Sequence, residues 1–206
     1  MKTQLDDLAT EPGTWARAGA WAFRQRSWLP VPLALVLVFV RVGEYESEWP
    51  VLIGVMLVAC GLALRLWAVR HIGDISRTRT NRSGSLQVTG PYALVRNPLY
   101  VANWLLWTGF TMDSELDWML VIAWGIFALQ YSAIVAWEER LMHERFGSEY
   151  EAYVASTPRW IPSWRSIHTL SSYPTYAWRR VFFSERGTLL AAGCMLTLLA
   201  LKEVLS

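Results

Sequence analysis

Six side chains with chemistry in them cluster around two apolar runs: Arg96, Asn97, Tyr100 and Asn103 at the start of one, Glu138 and Glu139 at the end of the next. A short acidic stretch, Asp113 to Asp117, joins the runs, so they fold back as an antiparallel hairpin and bring residues some 40 positions apart to one end. Asn97 suits an N-cap and Pro98 the first helical position, where its missing N–H costs nothing. A helix start offers free N–H groups and positive potential, and with Arg96 beside it forms a site for a carboxylate or phosphate. The acid pair accepts from an ammonium group, a sulfonium-bearing ligand or ribose hydroxyls. A zwitterion with separated charges fits both halves.

Each residue also has a plainer use. Arg96 serves equally as a basic anchor, Glu138 and Glu139 as the solvated end of a helix, and Tyr100 as part of an interfacial aromatic belt. Asn103 is harder to dismiss, because an amide within an apolar span needs a partner. His71, His143 and His168 lack ligand spacing and no metal is expected. Cys60 and Cys194 are read as buried reduced thiols.

The elements that position these groups belong to a membrane. Hydrophobic residues make up 53% of the 206 and charged residues 17%, below the roughly 25% of soluble domains. Thirteen Trp point to two membrane interfaces. The net charge of +2 is too small to imply nucleic acid. The start does not resemble a cleavable signal, since Asp6, Asp7 and Glu11 precede any apolar run.

The expected architecture is all-α, a polytopic bundle of four or five spans in one domain over 1–206. Residues 1–28 form an N-terminal amphipathic segment, whose Thr14 to Trp28 piece either lies on an anionic lipid surface or extends the first span. Residues 29–138 form the transmembrane core, with spans at Leu29 to Val42, Trp49 to about Val69, Pro98 to Met112 and Leu116 to Trp137. Arg65 is expected to snorkel to the interface. The third span, about 22 Å long at 1.5 Å per residue, is too short to cross the whole hydrocarbon core. Residues 139–187 form a cytoplasmic and interfacial cap that bends near Gly147, and 188–206 a terminal hydrophobic helix of undecided depth. The stretches 43–48 and 113–117 hold three acidic residues each and no Lys or Arg, whereas 70–96 and 140–187 are rich in arginine. The positive-inside rule then makes the N-terminus and the mouth cytoplasmic, in what reads as a bacterial inner membrane. Arg77, Arg79 and Arg82 are read as a headgroup-binding surface.

Taken in order, Gly90-Pro91-Tyr92, Arg96-Asn97-Pro98-Leu99-Tyr100, Glu138-Glu139-Arg140-Leu141, Phe146-Gly147, Tyr150, Tyr153 and Pro158-Arg159-Trp160-Ile161-Pro162 resemble the integral-membrane methyltransferases related to isoprenylcysteine carboxyl methyltransferase and phospholipid N-methyltransferase. The resemblance runs from about residue 77 to 162. It implies S-adenosyl-L-methionine as methyl donor and a lipidic or isoprenoid-like acceptor at the cytoplasmic face. Carried over residue by residue, it points to Arg96, Pro98, Tyr100, Glu138 and Glu139, with Tyr92 nearby, as cofactor residues, and Asn97 and Asn103 join them from their place at the helix start and in its first turns. For methyl transfer Glu138, Glu139 and Arg159 are the expected catalytic groups, the acids taking a proton from an amine or the arginine positioning a carboxylate. Two positions depart from the family: it often has His at Asn97 and Gly at Ala102. Asn97 can cap and donate but is no proton-transfer base, and Ala102 is expected to narrow the approach of cofactor to backbone. The rival readings are an NADPH-dependent membrane reductase of sterol or isoprenoid type, using Arg77, Arg79 and Arg82, and a non-catalytic protein that binds lipid or a partner.

Overall fold

The computed structural model describes residues 14–41, 49–72, 86–163 and 176–205. These hold eight helices and no strand: α1 Thr14–Gln25, α2 Val31–Phe39, α3 Trp49–Ile72, α4 Pro91–Leu94, α5 Pro98–Asp113, α6 Met119–Phe146, α7 Ser148–Ser156 and α8 Trp178–Val204. Three of them, α3, α6 and α8, are long and apolar enough to cross a membrane. The expected spans at α2 and α5 are shorter: α2 has 9 residues, and α5 with 16 is about 24 Å long. The acidic loop at 43–48, the arginines at 77, 79 and 82, and His168 lie outside the described residues.

The most extensive packing is between α3 and α5, and small residues make it possible. Gly54 and Gly61 on α3 face Gly109 and Ala102 on α5, each pair seven residues apart, so the two stripes run together. A Cβ on Gly109 would stand 2.5 Å from the Gly54 carbonyl oxygen, and one on Gly61 would stand 2.9 Å from that of Ala102. Ala102 is 0% exposed. It therefore shapes the contact between two helices and does not narrow a cofactor's path.

α1 packs against α6 across Gly19, where an added Cβ would overlap the Ala133 carbonyl. Ala22 and Phe23 are buried there, the Phe23 ring lies 5.0 Å from that of Trp137, and Trp15, Trp21 and Trp28 stay exposed. The N-terminal helix is thus docked on the bundle, and a turn at Arg26 to Pro30 separates it from the first span, so it is not an extension of that span.

The last helix starts ten residues before the expected Thr188. Its buried residues, Val181, Glu185, Ala192, Met195, Leu199 and Lys202, follow the three- and four-residue spacing of a packed seam, so the aromatic-basic stretch from Trp178 is the first part of a 27-residue helix. Near its end the Lys202 ammonium donates to the carbonyls of Leu37, at 3.0 Å, and Ser114, at 2.7 Å. These belong to the last turn of α2 and the C-cap of α5, where unpaired carbonyls favour a cation. Lys202→Met should lower stability by about 2 kcal/mol, read as a lower midpoint of thermal unfolding in detergent. Both cysteines are free but exposed on the outward surface of their helices, which corrects the expectation of buried thiols.

Candidate functional site

The mouth is built on a short turn. Gly90 has φ +59° and its backbone lies under the His71 ring, where a Cβ would come within 2.3 Å of Nε2, so only glycine fits both the turn and the contact. Pro91 then opens α4, and the chain leaves it extended through Val95 (φ −150°, ψ 138°). This extended strip is covered by the segment after α7. Arg96 N donates to the Pro158 carbonyl at 2.9 Å, Ser163 N to the Leu94 carbonyl at 2.9 Å, and the Asn97 amide to the Arg159 carbonyl at 3.2 Å. The Tyr153 hydroxyl donates to the Tyr92 carbonyl at 2.7 Å and ties α7 to the same strip.

Asn97 does occupy the N-cap of α5, with Pro98 at the first helical position, but its side chain makes no capping bond. It reaches sideways to the covering segment instead. In the first turn of α5 Pro98 has no N–H, and the Tyr100 and Val101 N–H groups both donate to the Asn97 carbonyl at 3.1 Å.

The two glutamates serve different partners, because successive residues on a helix point about 100° apart. Glu139 faces the covering segment. It accepts from Arg96 at 2.9 Å and through both carboxylate oxygens from Arg159, at 3.0 and 2.5 Å. The fork of Arg159 on Glu139 is a geometrically specific pair, although Arg159 is 43% exposed and its contribution to stability is small. Glu138 faces inward, with the Tyr100 hydroxyl and the charge of Arg26 in its electrostatic surroundings. The Tyr100 ring lies 4.8 Å from that of Tyr131 on α6.

Asn103 lies one turn below Tyr100, and its amide oxygen accepts from Arg65 at 2.6 Å. Arg65 also donates to Glu185 at 2.5 Å. Arg65 thus turns inward to an acid on α8 and does not snorkel to the interface. Tyr92 is buried, with a hydroxyl that has no protein partner, and Arg96 Nε is likewise buried and unpartnered. Burial raises the Tyr92 phenol well above its usual range, with Tyr153 and Glu138 adding to the effect, so it stays a neutral donor. Burial also raises Tyr150, with the Glu139 charge adding to the effect, and Tyr153.

The fold therefore brings Tyr92, Arg96, Asn97, Pro98, Tyr100, Glu138, Glu139 and Arg159 to one end of the bundle and sets Asn103 one layer deeper. Arg26, Arg65, Tyr131 and Glu185 join them without having been singled out from the sequence. Arg65 and Glu185 carry the one signal that pointed to them, opposite charges inside otherwise apolar or basic helices. Among the described residues there is no group of three or more His, Cys, Asp or Glu side chains placed to hold a metal ion.

A family model described as phospholipid methyltransferase matches residues 49–149, from the start of α3 to the start of α7. The match spans just under half of the chain and supports an integral-membrane methyltransferase family, and nothing in it favours the reductase alternative. The chain is 26% identical over 161 residues to the nickel-cobalt-cadmium resistance protein NccN of Alcaligenes xylosoxydans xylosoxydans, covering 76% of this chain and 70% of the relative. It is 31% identical over 121 residues to the cobalt-zinc-cadmium resistance protein CzcN of Cupriavidus metallidurans, covering 58% of this chain and about half, 52%, of that relative. No solved structure matches significantly.

Proposed function

We propose that the protein transfers a methyl group from S-adenosyl-L-methionine to a lipidic or isoprenoid-like acceptor at the cytoplasmic face of a bacterial inner membrane. The observation that carries this reading is the division of labour at the end of α6. Glu139 holds Arg96, at the start of α5, and Arg159, in the covering segment, while Glu138 stands beside Tyr100 at the same end of the bundle. Opposite charges are thereby held apart in one recess, as a ligand with an amino-acid end requires. The two unpartnered atoms, Tyr92 hydroxyl and Arg96 Nε, fit a polar ligand here.

In this reading Arg96, at the positive end of α5, holds a carboxylate, and Glu138 holds an ammonium group. Tyr92, Asn97, Pro98, Tyr100 and Asn103 form the walls. The cofactor supplies an activated methyl group on a sulfonium. The protein supplies alignment of the reacting atoms and exclusion of water, from which much of the acceleration arises. With an amine acceptor, Glu138 or Glu139 takes the proton; with a carboxylate acceptor, Arg159 positions it once freed from Glu139. The cytoplasmic placement rests on the acidic turn at Asp113 to Asp117 opposite the arginine-rich mouth. The proposed reaction needs no metal ion.

Isothermal titration of the detergent-purified protein with S-adenosylhomocysteine tests the reading. Arg96→Ala and Glu138→Ala should each weaken binding about 10- to 100-fold, the loss of one charge-assisted contact. A wild type that binds nothing at millimolar ligand would sink the methyltransferase reading. Radiolabelled cofactor incubated with total membrane lipid should label lipid; label in protein alone would argue against a lipidic acceptor.

A further inference from the structure

The inner layer of the site contains a pair of charges that the proposed chemistry does not use. Glu185, two turns into α8, is 1% exposed and accepts from Arg65 Nε; Arg65 in turn donates to the Asn103 amide oxygen. Three separate helices meet in this chain of contacts. The unpartnered Tyr92 hydroxyl lies within the electrostatic reach of Glu138, Arg65 and Glu185 together.

Burying two charges in a membrane bundle is costly, and a buried pair adds little net stability over apolar residues of similar size. Attachment of α8 does not call for it either. The helix already buries Val181, Ala192, Met195 and Leu199, and Lys202 ties down its far end. What the pair does achieve is orientation. The guanidinium fork, fixed at Nε by Glu185, has one geometry left in which to hold Asn103, which stands one turn from Tyr100 on the wall of the mouth.

We propose that Glu185 is a positioning residue of the cofactor site, fixing Arg65 so that Arg65 aims Asn103 and leaves the Tyr92 hydroxyl as the free inner donor. This rests on the cofactor reading above and extends the functional unit to α8, beyond the family match at residues 49–149.

The test is titration of the full-length, detergent-purified protein with S-adenosylhomocysteine, with thermal unfolding run in parallel. Glu185→Gln should bind about tenfold more weakly. Asn103→Ala should show a similar loss, and the double variant should be no weaker than either single one, because both break the same line of contacts. Glu185→Asp should recover most of the affinity. Lys202→Met, which loosens α8 at its opposite end, should unfold at lower temperature yet bind as the wild type does. Glu185→Gln with wild-type affinity overturns the proposal, as do losses that multiply in the double variant or a Lys202→Met loss equal to that of Glu185→Gln. A wild type that does not bind the ligand overturns the cofactor reading and this proposal together, whereas the other outcomes overturn this proposal alone.

Discussion

Gly109→Leu should destabilise the protein by about 3 kcal/mol, at the upper end of what overpacking costs, because the obstruction is backbone and not a side chain that can turn away. The Cβ alone would meet the Gly54 carbonyl at 2.5 Å and the Val58 N–H nitrogen at 3.0 Å. α5 must then move off α3, and Asn103, on the same helix, must lose its register with Arg65. Gly125→Leu provides the contrast. Nothing lies within 4 Å of a Cβ at Gly125, on the outward face of α6, so this change should leave the unfolding midpoint nearly unmoved. Thermal unfolding of both variants in one detergent reads the difference, and equal midpoints would refute the account of the α3–α5 contact.

Arg65→Leu should cost about 3 to 5 kcal/mol, the usual penalty for removing one partner of a buried ion pair. The Glu185 carboxylate would remain 1% exposed without the guanidinium fork, and Asn103 would lose a bond of 2.6 Å. The double variant Arg65→Leu/Glu185→Leu removes both charges at once and should recover most of that loss in stability, though not in ligand affinity. Denaturant titration of the single and double variants separates the two cases. A double variant as unstable as the single one would show that the penalty comes from packing and not from the stranded charge.

How much of this was legible in the chain depends on how local each signal was. The helix start at Asn97-Pro98, the tight acidic turn and the break near Gly147 are set by neighbouring residues, and the structure has all three. The antiparallel hairpin follows from them, as does the meeting of Arg96 with Glu139. The cap was legible only in part: the backbone of Asn97 takes the position, but the side chain is drawn off by Arg159, 62 residues away, a competitor that no local pattern reveals.

The last helix was obscured by its own polar residues. Its seam includes Glu185 and Lys202, and a charge at a seam position reads as surface until its partners on other helices are known. Likewise Gly19 in a basic, tryptophan-rich segment gave no hint of a helix pressed against Ala133. Arg65 and Glu185 are 120 residues apart on helices that only the folded bundle makes neighbours. Spacing within one helix is readable from sequence, whereas pairing between distant helices is decided by packing.

The strip at Leu94 to Asn97 and its cover at Pro158 to Ser163 are separated by about 60 residues of chain. At roughly 5–20 residues per second of synthesis, the cover emerges about 3 to 12 s after the strip it pairs with. By then α5 and α6 have been made and can already lie in the bilayer as a hairpin, with Arg96 meeting Glu139 at one end. Arg159 then arrives as the second arginine on a carboxylate that already has a first. The mouth is thus completed after insertion, and a chain cut after Gly147 should enter the membrane with α5 and α6 but without the segment that closes the site.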